Sequence, residues 1–580
     1  MKRLLLLFIT IWCIIVCGYC QTDWKNFMSK QDMIWTRLPQ TWYEAPFMGN
    51  GSMGTYICKE PNKNAIRVDV NNSMVHDHRT KDNDIYGRCR LLIGYFLLHP
   101  AGEIQSGNMR LDLWNAETTG CVRTTLGEIK LKAYVTSESP YIIVEAEATK
   151  GEKNFTWKFY PEKTDSPRQL NAIRIKSKNH FKKDYISNPA SQLYERNGLN
   201  FCWQPLLDGG GTATVWKEIR KDNKSILVIS NAHSFPETDA LQKAETALVS
   251  LQEIDLLSLQ KTHRDWWHNY YPLSFVSLPD KKIENFYWAQ MYKLASATRI
   301  GGGLLDNSGP WQVLTPWPNA WWNLNVQLSY WPVYAANRLE LGMPLVDVVK
   351  NNFDNLINNV PEAYRKDAAA LPVCTDFNLI GVDVRVPGSE KFAQVGNLPW
   401  LCHNLWLQYR FSMNESILRN VLFPTLRRAI NFYIPFLEED EQGILHLKET
   451  YSPEYGSAED CNYDIALLRW GCQTLLKASQ ILSIKDDLIP KWQEIIEKLT
   501  DYPQDENGMM IGKDVPFSKS HRHYSHLLMF YPLYLLNIEQ NESKELLEKS
   551  VEHWLSIPGN ILGFSNTGAS SLYAAAGEGD

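Results

Sequence analysis

Near Phe235 the apolar residues of this chain change their period. Before that point they alternate. Ile66–Val70, Gly127–Val135, Tyr141–Glu147, Thr212–Trp216 and Ser225–Ile229 all place apolar and polar side chains on opposite sides of an extended backbone. Short β-branched runs separated by Gly-, Asn-, Asp- and Lys-rich turns predict a large antiparallel β-sandwich over residues 21–238. Beyond Phe235, Leu241, Ala244, Ala247, Leu248 and Leu251 recur at helical spacing and run into Trp266-Trp267, so 239–280 is read as a helical connector. From 281 to 580 helical patterns dominate, at 281–299, 325–341, 344–358, 400–411, 415–438, 459–483, 487–500, 523–537, 542–556 and 566–577. No internal sequence repeat marks a solenoid. Paired helices joined by long polar, aromatic-bearing loops fit an α/α toroid whose loops build a central pocket.

The 580 residues exceed one domain, and a net charge of −6 with no basic block argues against a nucleic-acid partner. Lys2-Arg3, the apolar run Leu4–Val16 and the exit Gly18-Tyr19-Cys20-Gln21 form a signal peptide over 1–20. The expectation is export to the periplasm or the extracellular space. Lipid anchoring is the lesser alternative, because the residues before Cys17 and Cys20 are not the usual small ones. The apolar run is short for a membrane span, and no later segment is long and apolar enough for one. The eight remaining cysteines are scattered without a C-x-x-C pair, so they are read as buried thiols.

The run Pro316–Pro332 holds four tryptophans, a tyrosine and four side-chain amides. Aromatic faces cover the apolar C–H patches of a sugar, and amides bond its hydroxyls. Trp321, Trp322, Asn323 and Asn325 are therefore candidate ligand contacts. Asn323 and Asn325, at i and i+2, share a direction only on extended backbone, so they must precede or barely enter the following helix. The alternative is an aromatic helix start buried in the core. Glu454, in Tyr451-Ser452-Pro453-Glu454-Tyr455, is a candidate general acid if burial among aromatics raises its pKa. Otherwise it is a carboxylate near the start of the 459–483 helix. His521, Arg522 and His523, with His526, could bond sugar hydroxyls and backbone; a metal site is the weaker reading, since no carboxylate or cysteine stands at ligand spacing. His403 sits at the pocket end of a helix or in its core. Pro46–Gly54 is glycine-rich but lacks the Lys-Ser/Thr ending of a phosphate loop, and reads as a structural β-turn.

Together, "PFMGNGSMG" (Pro46–Gly54), "NLNVQLSYWP" (Asn323–Pro332), "CHNLWLQYRF" (Cys402–Phe411), "YSPEY" (Tyr451–Tyr455) and "HRHYSHLLMFYP" (His521–Pro532) resemble glycoside hydrolase family 95, the α-L-fucosidase and α-L-galactosidase family. The resemblance runs from about Trp35 to the end of the chain. It implies an N-terminal β-supersandwich, a helical linker, an (α/α)6 catalytic barrel and a C-terminal β domain. It further implies inverting, exo-acting hydrolysis of a glycan without metal or organic cofactor. Glu454 would be the acid and Asn323 and Asn325 would hold the attacking water. Trp321, Trp322, His403, Tyr455, His521, Arg522 and His523 would contact substrate. Amides are not bases, so a carboxylate must complete the work. The family's Asp-Gly-Asn-Phe-Gly motif is not found in this sequence, which leaves Asp376 and Glu449 as candidates within it. Tyr455 stands where the family more often has His or Asn, which leaves the sugar open. The helical patterns are fewer than a closed ring of six helical hairpins needs, so an incomplete toroid is expected. An (α/α)6 glycosidase or phosphorylase acting on another sugar, and a catalytically impaired glycan-binding relative, are the alternatives.

Overall fold

The computed structural model describes residues 22–79, 85–249, 251, 255–381, 384–540 and 542–579. The signal-peptide segment lies outside the described residues. The first half is a sandwich of two antiparallel sheets. One has nine strands, running from Met33–Trp35 at one edge to Gln192–Arg196 at the other; the second has five, ending at Phe47–Gly49 and Thr156–Pro161. Alternation decides which face turns inward: along Glu128–Val135 the residues Ile129, Leu131, Ala133 and Val135 are all buried. Turn chemistry fixes the register. Arg196 pairs with Leu199 across Asn197-Gly198, both left-handed at φ 54° and 74°, the requirement of a two-residue hairpin turn.

The strands end at Ser234, and the helix Ala240–Val249 follows. It lays Ala240, Ala244 and Leu248 on Phe201, Ala213, Val215 and Val228 of the large sheet. The helix Asp255–Tyr270 then delivers Trp266, Trp267 and Tyr270 into an aromatic cluster with Tyr271, Trp288 and Tyr292. Arg299 stacks on Trp266 at 3.4 Å and is buried there; burial holds its pKa down at about 9. The Gly-rich turn docks the sandwich onto this region. Gly51 (φ 87°) donates its N–H to Ser296 O at 2.9 Å. A Cβ at Gly49 would lie 2.4 Å from that same oxygen, so the close approach needs glycine.

A second seam comes from the strand-like segment after Met74. Arg88 donates to Asp376 at 2.9 Å, and Arg90 donates to Asp306 at 3.0 Å. Both carboxylates belong to the helical half, and all four side chains are largely buried. Arg90 N–H also bonds Pro318 O at 2.9 Å, and Asn319 Nδ2 bonds Arg88 O at 2.7 Å.

In the second half, helices form at Lys281–Ala297, Asn325–Ala335, Met343–Asn351, Phe353–Asn358, Asn397–Ser412, Phe423–Asn431, Asn462–Leu482, Ile489–Lys498, Ser543–Ser556 and Gly563–Ala575. The helix expected at 325–341 stops at Ala335 and resumes as a 3-10 turn over Leu339–Gly342. The helix expected at 523–537 does not form: Ser525–Leu527 make one 3-10 turn and irregular chain follows. Pro532 supplies no N–H and its ring obstructs the preceding turn, and Tyr534 is left-handed at φ 50°. The apolar spacing there reflects burial, since Leu527, Leu528, Met529 and Phe530 are all in the core. Among the described residues the eight cysteines form no disulfide; all are buried except Cys121, which is partly so. Among the described residues no helix is long and apolar enough to cross a membrane.

Candidate active site

Two short strands, Thr450–Ser452 and Gly456–Ala458, form a tight hairpin just before the Asn462–Leu482 helix. Glu454 sits at its tip in the left-handed region, φ 57°. A non-glycine residue there carries backbone strain, the kind of position that recurs at functional sites. The tip is held from one side. The hydroxyl of Tyr455 accepts from Ser518 N at 2.7 Å and Lys519 N at 3.1 Å, while Lys519 Nζ bonds Tyr455 O at 2.9 Å and lies over the Tyr455 ring. Ser452 and Ser525 share a hydroxyl contact of 2.8 Å. These bonds clamp the hairpin to the segment His521–His526.

That clamp brings Arg522 and His523 to Glu454. Arg522 Nη2 donates to Glu454 Oε2 in a close ion pair, and His523 Nε2 lies 3.4 Å from the same oxygen. Burial alone would raise the Glu454 pKa. The bond from His523 and the charges of His523, Arg522 and His521 outweigh it and hold the carboxyl at about 2. The raised pKa expected from burial is therefore absent: the same loop that buries the carboxyl sets Arg522 and two imidazoles against it. A carboxyl near the hairpin whose pKa is pushed up is Asp464, at the start of the helix beneath it. Fully buried and bonded by Tyr433 at 2.7 Å, it rises to about 7 because of desolvation. Periodicity gave no hint of it, although an Asp among apolar residues in Asn462–Leu482 is the kind of mismatch that signals such a group.

The three histidines of the loop diverge. His521 Nδ1 accepts from His523 N at 3.1 Å, His523 faces Glu454, and His526 stacks on Phe517. Burial lowers the pKa of His521 to about 4.

The second group of candidates lies on the run into the Asn325–Ala335 helix. Trp321 pairs with Cys374 in a two-residue β-ladder. Asn323 and Leu324 lie in a turn, Leu324 at φ −179° and ψ −54°, and Asn325 is the first helical residue. The backbone is thus non-helical up to Asn325, as the i, i+2 spacing requires. Asn323 is 2% exposed, and its Nδ2 has no protein hydrogen-bond partner. Trp322, expected at the substrate, is 0% exposed and gives its indole N–H to Thr375 Oγ1 at 2.8 Å, so it packs the core and has no free face. His403 is likewise a core residue: it is 3% exposed, packs edge-on against Trp470 at 5.3 Å and bonds Pro532 O, and burial lowers its pKa to about 3.

A buried polar chain connects the two groups. Gln327 Nε2 bonds Trp322 O at 2.5 Å and reaches Asn397 O at 3.5 Å; Tyr463 hydroxyl bonds Asn397 Oδ1 at 3.1 Å, next to Asp464. Of the candidate base-side carboxylates, Glu449 is exposed. Asp376 is buried and spends its oxygens on Arg88, Asn378 N and Ile380 N.

The sequence pattern of the glycosyl hydrolase family 95 catalytic domain matches residues 276–580. The chain belongs to glycoside hydrolase family 95. It is 26% identical over 312 residues to alpha-L-fucosidase 2 of Arabidopsis thaliana, covering 50% of this chain and 36% of that protein. It is 22% identical over 330 residues to probable alpha-fucosidase A of Aspergillus niger, covering 52% and 40%. The matched stretch thus spans well under half of either relative. A putative kojibiose phosphorylase from the human microbiome superposes with a TM-score of 0.64 over 92% of this chain and 79% of that one, at 10% identity. That likeness is one of fold, an N-terminal sandwich followed by an (α/α)6-type helical domain.

Proposed function

We propose that this family 95 protein is an exported, inverting exo-glycosidase that removes terminal α-L-fucose or α-L-galactose from glycans. Glu454 is the general acid, Asn323 and Asn325 hold the attacking water, and Arg522, His521, His523, Tyr455 and Trp321 frame the sugar. The observation that carries the reading is the strained hairpin tip, which presents Glu454 to Arg522 and His523 within the family's catalytic domain. The unpaired Asn323 Nδ2 supports the water-holding role, because a buried donor without a protein partner suits a bound water.

An acid must carry a proton, and Glu454 is ionised in the free protein. Desolvation is already the largest single influence on it, and the opposing ones all come from groups able to bond sugar hydroxyls. A glycan that takes hydrogen bonds from Arg522 and His523 and expels water weakens what opposes desolvation and strengthens desolvation itself, so the pKa climbs as substrate binds. Inversion then needs acid and base sides roughly 6.5–9.5 Å apart, leaving room for the water. The low pKa of the free carboxylate also favours a second reading, a glycan-binding relative with impaired turnover.

Hydrolysis of aryl α-L-fucosides, aryl α-L-galactosides and a natural fucosylated glycan separates the two. The enzyme reading expects turnover with the β-anomer released first by NMR. Glu454→Gln should then cost about 10²–10⁴-fold on the glycan and less on activated aryl substrates. Saturable fucose binding without turnover on any of them would leave only the binding reading. Export is checked by N-terminal sequencing of the mature protein, expected to begin at Gln21.

A further inference from the structure

Three histidines in the sandwich half lie outside everything described above. His76 and His78 come from the segment that follows the strand Ile66–Asn72, and His233 comes from the strand Lys224–Ser234. One ring nitrogen from each can be chosen so that all three lie within 4.8 Å of one another. His76 and His78 are buried and His233 is partly so. We propose that His76, His78 and His233 form a binding site for a divalent transition ion of the zinc type.

The tautomers favour it. His76 Nδ1 lies 2.9 Å from Met74 O, which can only accept, so Nδ1 carries the hydrogen and Nε2 keeps its lone pair. That Nε2 is buried and has no hydrogen-bond partner. A histidine whose far nitrogen is pinned to a backbone carbonyl, with its other nitrogen free, is the usual arrangement of a metal ligand. His233 is held in the same way: its Nδ1 lies 2.9 Å from Thr212 Oγ1, a hydroxyl that can accept as well as donate, so Nε2 keeps its lone pair and accepts from His78 Nε2 in the metal-free protein, a hydrogen that shifts to His78 Nδ1 when an ion binds. His78 Nε2 sits 2.9 Å from His233 Nε2. Two imidazole nitrogens on a tetrahedral zinc, at about 2.0–2.1 Å each, are about 3.4 Å apart. Opening that contact by about half an ångström is a side-chain adjustment. Ring orientation is fixed by packing, since His78 stacks on Phe235 at 3.9 Å and His76 packs edge-on against Phe377 at 5.3 Å.

Three imidazoles with no thiolate and no carboxylate among the ligands suit zinc, with copper and nickel as competitors, and not calcium or magnesium. The fourth position falls to water. The nearby charges do not oppose a cation strongly, since Arg88 is paired with Asp376 and Arg90 with Asp306. An ion here fastens the segment bearing Arg88 and Arg90 to the large sheet, and the site does not rest on the glycosidase reading.

The test uses untagged, chelator-treated protein titrated with Zn²⁺ by calorimetry and with Co²⁺ by visible absorption. One zinc per chain, intense four-coordinate cobalt bands and a zinc-dependent rise in thermal midpoint are expected. His233→Gln and His76→Gln should each weaken zinc binding by more than about tenfold and abolish the cobalt bands. Because His233 is only partly buried, its variant is expected to fold, and circular dichroism with the zinc-free thermal midpoint checks this. No stoichiometric zinc, or zinc binding unchanged in both variants, overturns the proposal. So does zinc binding that is lost instead in His521→Ala.

Discussion

Asp464 offers the sharpest test of the electrostatics beneath the hairpin. It is fully buried and bonded by the Tyr433 hydroxyl at 2.7 Å, with Thr450 and the Gly396 N–H also facing it. Its pKa moves from the ordinary 3.8 to about 7 on folding. The folded state therefore binds the proton more tightly than the unfolded chain. The stability this contributes is fully present below about pH 4 and is lost as pH rises through about 7. At about 1.36 kcal/mol per pH unit, the rise corresponds to a ceiling of about 4 kcal/mol. Asp464→Asn keeps the oxygen that Tyr433 bonds and cannot ionise. Urea unfolding followed by tryptophan fluorescence should find the variant within about 1 kcal/mol of the parent at pH 4.5 and more stable by about 2–4 kcal/mol at pH 8.5. A difference that stays constant across that range would show that Asp464 does not titrate as its burial requires.

Glu454 pulls in the opposite sense in a separate window: its depressed pKa contributes stability that is present above about pH 4.5 and lost as pH falls towards 2, and Glu454→Gln should remove that acid-limb slope. Tyr455→Phe leaves Ser518 N–H and Lys519 N–H without their acceptor; a loss of about 1–3 kcal/mol in chemical denaturation is expected, with a fall in kcat because Arg522 and His523 are no longer held against the hairpin. Trp322→Phe should cost about 1–3 kcal/mol through the lost indole N–H bond to Thr375 and the space the smaller ring leaves, while leaving the ratio of activities on fucosides and galactosides unchanged; a shift in that ratio would return Trp322 to the sugar site. Gly471→Ala would place a Cβ 2.3 Å from Ile430 Cδ1, and overpacking of about 1–3 kcal/mol should lower the thermal midpoint.

Much of the architecture was legible because it rests on period and punctuation. The strands of the sandwich and most of the helices follow from alternation, helical spacing and turn residues. The segment 523–537 misled because its apolar spacing comes from burial in irregular chain, where Pro532 and Tyr534 decide the backbone. The site was legible as a set of residue types and much less as environments. Nothing local in Tyr451–Tyr455 announces that Arg522 and His523, nearly seventy positions on, reverse the pKa that burial would give Glu454. Trp322 and His403 looked like sugar contacts because aromatic and imidazole groups serve cores and pockets alike, and only accessibility tells them apart. The histidines His76, His78 and His233 gave no sequence signal as a set, since a strand of the other sheet, 155 positions on from His78, completes them.

The paired arginines of the sandwich, Arg88 on Asp376 and Arg90 on Asp306, bear on how such a protein can change over evolutionary time. Each ion pair has one member encoded in the β half and one in the helical half, and all four side chains are hidden from water. Removing one member of a buried pair typically costs about 3–5 kcal/mol, so losing the whole β half at once would strand two carboxylates. The halves are therefore poor currency for recombination: a foreign sandwich grafted onto this helical domain must bring two arginines at the same spacing. Expressed alone, the helical half should be recovered mainly as aggregate. Charge-removing substitutions at Asp306 or Asp376 should therefore cost far less when Arg90 or Arg88 is changed with them than when made alone.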